Sequence, residues 1–137
     1  ASEEVISCDI QDMSRPGKLY RSLVPADSKC RITLLSGDSH SAEFRDRVAK
    51  VLDGRKVDFL FIDGDHTLDG VTVDYRNYKG FVRSGGAIAF HDIVENQPWP
   101  RNQVYHLLKN LRTEFDHEEF IEDPNQCGYG IGIIRVP

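Results

Sequence analysis

The stretch Val57–Asp92, VDFLFIDGDHTLDGVTVDYRNYKGFVRSGGAIAFHD, decides the fold. Two apolar runs, Val57–Ile62 and Ala87–Phe90, each stop abruptly in acid and imidazole. Asp63, Asp65 and His66 follow the first run, His91 and Asp92 the second. Between them Val71, Tyr75, Tyr78 and Val82 recur at i, i+4, i+7 and i+11, the spacing of one helix face. Ser84-Gly85-Gly86 reads as the turn into the second run. Strand, helix and strand in that order predict a parallel βαβ unit. In open α/β sheets, ligands bind in the crevice beyond the carboxyl ends of the strands. Both polar clusters stand at such ends, and chemistry is expected there.

Working outward, the alternation continues. Val5–Cys8 is a short apolar run closed by Asp9. Pro16, Gly17 and Pro25 limit any helix between Asp12 and Asp27 to a short one near Lys18–Leu23. Arg31–Leu35 is β-branched and apolar, then stops at Ser36-Gly37-Asp38-Ser39. Ser41 is placed to cap a helix running to about Leu52, with Val48, Val51 and Leu52 on one face and Asp53-Gly54 to end it. Downstream, Glu95–Arg101 contains Pro98, Trp99 and Pro100 and reads as a loop. Val104, Leu107, Leu108 and Leu111 predict an amphipathic helix. Phe115–Ile121 and Tyr129–Val136, separated by a turn at Asp123–Gly128, predict an antiparallel hairpin at one sheet edge. The fold class is α/β with a doubly wound, mostly parallel sheet, and residues 1–137 read as a single domain.

Composition narrows the function. The 137 residues carry a net charge of -5, which gives no basic footprint for nucleic acid. No apolar run is long enough for a transmembrane helix. Cys8, Cys30 and Cys127 are an odd count without CxxC or zinc-type spacing, which reads as reduced thiols in a cytoplasmic protein. A homo-oligomer is compatible with all of this.

At this point the chain resembles a family. Ile62–His66 (IDGDH), Asp74 in the following helix, Ser84–Gly86 (SGG) and Phe90–Asp92 (FHD) look like the class I S-adenosylmethionine-dependent methyltransferases, which have a Rossmann-like sheet. More narrowly, they are similar to the small-molecule O-methyltransferase group that includes the macrolide-sugar methyltransferases and the proteins called cephalosporin hydroxylases. Ile6–Ile10 (ISCDI) matches that fold's second strand, Ser36–Ser39 (SGDS) the end of its third, and Gly128–Val136 (GYGIGIIRV) its last. The first strand of the family, with its glycine-rich turn, has no counterpart here. GYGIG (Gly128–Gly132) lies in a final strand pattern with no helix after it. That strand would lie between those at Val5 and Val57. With Ala1 rather than Met at the start, the expectation is that these residues are the C-terminal portion of a longer protein.

The resemblance implies roles for particular residues. Asp9 would hold the ribose hydroxyls of S-adenosylmethionine, and Asp38, flanked by Gly37 and Ser39, the adenine amine. Asp9 would otherwise be a solvated loop acid, and Asp38 or Ser39 would otherwise cap the helix at Ser41. Asp63 belongs to the cofactor-binding set and, with His91 and Asp92, to a candidate site for Mg²⁺ or Mn²⁺. That metal would bind the hydroxyls of a small-molecule acceptor and acidify the one that attacks. His91 stands where many relatives have a carboxylate, so His66 and His91 are also candidate general bases. Asp65 and Asp74 read as supports of the loop and the helix, and Tyr75 and Tyr78 as core. Trp99 reads equally as part of a substrate lid or of a packed surface loop. Two further readings stay open beside the enzyme: a methyltransferase-like binding module without catalysis, and a metal-dependent hydrolase built on DGDH and HD.

Overall fold

The computed structural model describes residues 3–137; Ala1 and Ser2, the first residues of the 1–137 span, lie outside the described residues. The chain falls into two compact units, Ala1–Val48 and Ala49–Pro137.

The first unit holds two strands, β1 (Glu4–Asp9) and β2 (Arg31–Ser36), paired in parallel from Glu4 opposite Arg31 to Asp9 opposite Ser36. Between them lies α1 (Ser14–Ser22), longer than the short helix expected near Lys18–Leu23. Pro16 falls in its first turn, where a missing N–H costs nothing because no helical acceptor faces it. Gly17 is buried because the helix rides directly on Leu34, whose side chain fills the space a Cβ would need. The next helix, α2 (Ala42–Leu52), starts where expected: the Ser41 hydroxyl accepts the Phe44 N–H at 3.2 Å. It ends where expected too, on Asp53 and Gly54 with φ of 48° and 74°.

The second unit is built on β3 (Val57–Ile62), α3 (Leu68–Tyr78), a 3-10 turn (Lys79–Phe81) and β4 (Val82–His91). β3 and β4 run parallel, as the βαβ pattern requires. Two expectations need correction. Val82 does not extend the helix face; it opens β4 and enters the core from there. Ser84-Gly85-Gly86 is not a turn before the strand but an irregularity within it. Val57 pairs with Val82, yet Phe59 pairs with Ala87, so the extra β4 residues bulge out of register. Glycine is required here: Gly85 has φ 71°, and a Cβ on Gly86 would press on the Asp58 carbonyl at 2.9 Å.

α4 (Val104–Leu111) buries all four residues that predicted it. β5 (His117–Phe120) and β6 (Ile131–Arg135) form the expected antiparallel hairpin, in a sheet ordered β3-β4-β6-β5. Both strands are shorter than read. Gly128-Tyr129-Gly130 is a turn with φ of 80°, 63° and 85°, which no strand accommodates. The core packs α3 and α4 against this sheet through Val71, Tyr75, Leu107, Leu108, Ile88, Phe90 and Ile134. Burial of Tyr75 pushes its phenol above the ordinary value, as expected of a core tyrosine. Among the described residues β1 pairs with β2 alone and β3 with β4 alone, so no strand joins the two sheets. No described helix is long and apolar enough to cross a membrane.

Candidate functional site

Two groups of polar residues stand at strand ends, one in each unit. In the first unit, Asp9 closes β1 and Gly37-Asp38-Ser39 follows β2. The two ends are tied together by the Gly37 N–H donating to the Asp9 carbonyl at 2.8 Å. Both carboxylates are exposed. Asp9 Oδ1 accepts the Gln11 N–H at 2.8 Å, and Asp38 Oδ1 accepts the His40 N–H at 2.9 Å. Each acid is therefore oriented by its own loop through one oxygen. Gly37, with φ 156°, lies so close to Phe44 that a Cβ would overlap the ring. The close approach at Gly37 is to a side chain of this chain. The Asp38 carbonyl accepts both the Ser41 N–H at 3.1 Å and the Ser41 hydroxyl at 2.9 Å, which leaves helix capping to Ser41.

The second unit gathers the other candidates. β3 delivers Asp63 and the loop after it His66; β4 delivers His91 and then Asp92. Parallel pairing of Ile62 with Phe90 sets the two strand ends side by side. His66 Nε2 and His91 Nδ1 each lie 3.1 Å from Asp63 Oδ1. The imidazole rings are 5.9 Å apart, and Phe61 meets His91 edge-on at 6.4 Å. The His91 Nδ1 is buried and makes no hydrogen bond, because the nearby Asp63 oxygen lies off its direction. Asp63, His66 and His91 bring donor atoms within 4.8 Å of one another, a group able to hold a metal ion.

Asp92, grouped with Asp63 and His91 from the sequence, is placed differently. Its Oδ1 accepts the Tyr129 N–H at 3.0 Å, and its Oδ2 accepts from Asn102 Nδ2 at 2.8 Å. The same Oδ2 lies 3.1 Å from His66 Nδ1. Asp92 has a left-handed backbone, φ 59°, fixed by its N–H donating to the Gly130 carbonyl at 3.0 Å. It is thus a bracket behind His66.

Asp65 Oδ1 accepts the Thr67 N–H at 2.9 Å, and Thr67 caps α3 by accepting the Gly70 N–H at 3.0 Å. Asp74 is buried on α3, against Gly64. These are the supporting roles read for them.

Sequence reasoning missed Asn102, Gln97 and Tyr129. The Asn102 amide reaches Asp92 and also lies 3.3 Å from His66 Nδ1 and 3.2 Å from Gln97 Oε1. Gln97 Nε2 donates to the Asp92 and Val94 carbonyls at 3.0 and 2.7 Å, tying the loop after β4 to the cluster. The Gln103 N–H donates to the His66 carbonyl at 2.7 Å and docks the start of α4 there. No spacing signal marks these residues. Trp99 and Tyr129 stay exposed, at 76% and 69%.

A family model described as a methyltransferase domain matches residues 1–93. The chain is 28% identical over 138 aligned residues to mycinamicin VI 2''-O-methyltransferase of Micromonospora griseorubida, covering 92% of this chain and 31% of that protein. Among solved structures, the MycE methyltransferase of the mycinamycin biosynthetic pathway, in complex with Mg, S-adenosylhomocysteine (SAH) and mycinamycin VI, aligns with a TM-score of 0.61 at 17% identity. That match covers 99% of this chain and 45% of MycE. The O-methyltransferase TomG of Streptomyces achromogenes, solved with S-adenosylmethionine (SAM), aligns with a TM-score of 0.63 at 10% identity, over 98% of this chain and 62% of TomG. The chain spans about a third of the curated relative it matches. The structural likenesses are likenesses of fold.

Proposed function

The chain belongs to the methyltransferase-domain family, and from that premise we propose that it works as a SAM-dependent O-methyltransferase acting on a hydroxyl of a small molecule such as a sugar or natural product. The observation that carries this reading is the pair of imidazoles, His66 and His91, converging on Asp63 at two adjacent strand ends. When bound, SAM supplies a methyl group on a positively charged sulfur, which keeps the bonding electron pair and leaves as a neutral thioether.

The chain's own residues do the rest. The Asp9 carboxylate is suited to accept hydrogen bonds from vicinal ribose hydroxyls, and Asp38 from an exocyclic amine. Gly37 and Ser39 frame Asp38. The exposed, loop-oriented carboxylates fit such a ligand. As the acceptor oxygen forms its bond to the methyl carbon, its proton passes to a ring nitrogen of His66 or His91. Imidazole titrates near neutral pH and suits that transfer. Holding the oxygen in line with the methyl group supplies much of the rate. Trp99, exposed on the loop that Gln97 ties to Asp92, is the proposed acceptor contact.

In place of a histidine base, a divalent cation would fit among Asp63, His66 and His91 and lower the pKa of a bound hydroxyl. A cytoplasmic setting belongs to the same proposal. The test is calorimetry with SAH and transfer of a labelled methyl group to hydroxylated acceptors. Micromolar binding, about -8 kcal/mol, and label on an acceptor oxygen are expected. Binding without transfer would leave a non-catalytic module, and oxygen-dependent hydroxylation without label transfer would overturn the reading.

A further inference from the structure

We propose that Asp63 Oδ1, His66 Nε2 and His91 Nδ1 form a transition-metal site that prefers Zn²⁺, Co²⁺ or Mn²⁺ over Mg²⁺, with Asp92 holding His66 rather than binding the ion. This deepens the reading above at the same cluster. Ion binding is measured without cofactor or acceptor, so its failure and the failure of methyl transfer are separate results.

The geometry supports an ion. Ligands about 2.1 Å from a metal stand roughly 3.0–3.4 Å from their neighbours in octahedral or tetrahedral arrangement. The two nitrogen–oxygen separations here are both 3.1 Å. The His91 nitrogen is buried with no hydrogen bond, so its lone pair is unspent inside the cluster. Polar atoms in such positions ordinarily find partners.

Donor chemistry decides the preference. Mg²⁺ takes oxygen ligands and gives up water reluctantly, whereas two imidazoles and one carboxylate, with positions left open, suit first-row transition ions. Both Asp92 oxygens are already turned to neighbours, and Asp92 is not among the residues whose donor atoms converge. Its Oδ1 takes the Tyr129 N–H and its Oδ2 takes Asn102. What Asp92 does offer is orientation. The Asn102 amide has Asp92 Oδ2 and Gln97 Oε1 as acceptors for its two N–H bonds, so His66 Nδ1 can carry a proton toward Asp92. With Nδ1–H donating to Asp92, the Nε2 lone pair is left for an ion, the carboxylate–histidine–metal arrangement of many sites. The ion then occupies lone pairs that would otherwise take the acceptor's proton, so loading and base catalysis compete.

Titration of the chain with Zn²⁺, Co²⁺ and Mg²⁺ by calorimetry, with Co²⁺ also followed by its visible absorption, tests this. One Zn²⁺ or Co²⁺ per chain is expected, at least 100-fold tighter than Mg²⁺. His66→Gln and His91→Gln should each weaken Co²⁺ binding at least tenfold, His91→Asp should narrow the gap to Mg²⁺, and His106→Gln should change nothing. Asp92→Asn should cost about tenfold. Should the variants fail to fold, histidine ring ¹⁵N resonances of the unmodified chain decide: Zn²⁺ should move those of His66 and His91. Mg²⁺ binding as tight as Co²⁺, unaltered Co²⁺ affinity in a folded His66→Gln chain, or resonance changes confined to His40, His106 and His117 would overturn the proposal.

Discussion

Asp92 accepts the backbone N–H of Tyr129 at 3.0 Å, and both residues have left-handed backbone, with φ of 59° and 63°. The contact joins the loop after β4 to the turn before β6. It explains why a carboxylate at a strand end need not serve a ligand: its oxygens complete the fold around His66.

Asp92→Ala is therefore expected to destabilise the chain by about 2–3 kcal/mol, through lost hydrogen bonds and a left-handed conformation that alanine resists. Asp92→Asn should cost less, because asparagine tolerates that conformation and keeps one acceptor. Urea unfolding of both variants measures this. Wild-type stability in the alanine variant would show that the bracket contributes nothing.

Gly37 and Gly54 separate two reasons for glycine. Gly37→Ala drives a methyl group into the Phe44 ring and should cost about 1–3 kcal/mol. Gly54 has φ 74° but open space around it, so Gly54→Ala should cost about 1 kcal/mol from backbone strain alone. Thermal melts of the pair check the order; a larger loss at Gly54 would reverse the assignment.

For the proposed cofactor role, Asp9→Ala should weaken SAH binding by about 1–3 kcal/mol, the worth of hydrogen bonds to a charged acceptor. Asp9 is exposed, so unfolding free energy should hardly move. Calorimetry giving wild-type affinity would take Asp9 out of the site.

Trp99, 76% exposed, contributes little to the core. Trp99→Ala should raise KM for the acceptor several-fold more than KM for SAM. Steady-state kinetics with both substrates varied will tell: equal effects on both would make the loop a support of the fold.

Much of this was legible along the chain, and the physical reason is locality. β3 was readable to the residue from its apolar run, and α2 from Ser41 at its start and Asp53-Gly54 at its end, because caps and periodicity act over a few residues. Where the reading failed, a partner distant in sequence intervened. Gly17 enters α1 because Leu34 lies beneath it, and Ser84–Gly86 becomes a bulge because β3 fixes the register on either side. By itself the sequence determined that Asp63, His66, His91 and Asp92 would stand at or just beyond strand ends, since Asp63 and His91 follow an apolar run directly and Asp92 and His66 come shortly after them. Only tertiary structure decided which of them face one another. Tyr129 and Asn102, 37 and 10 residues away from Asp92, hydrogen-bond its two oxygens, leaving Asp63, His66 and His91 as the converging set. A side chain's free valence depends on neighbours brought by the fold, and no local pattern encodes it.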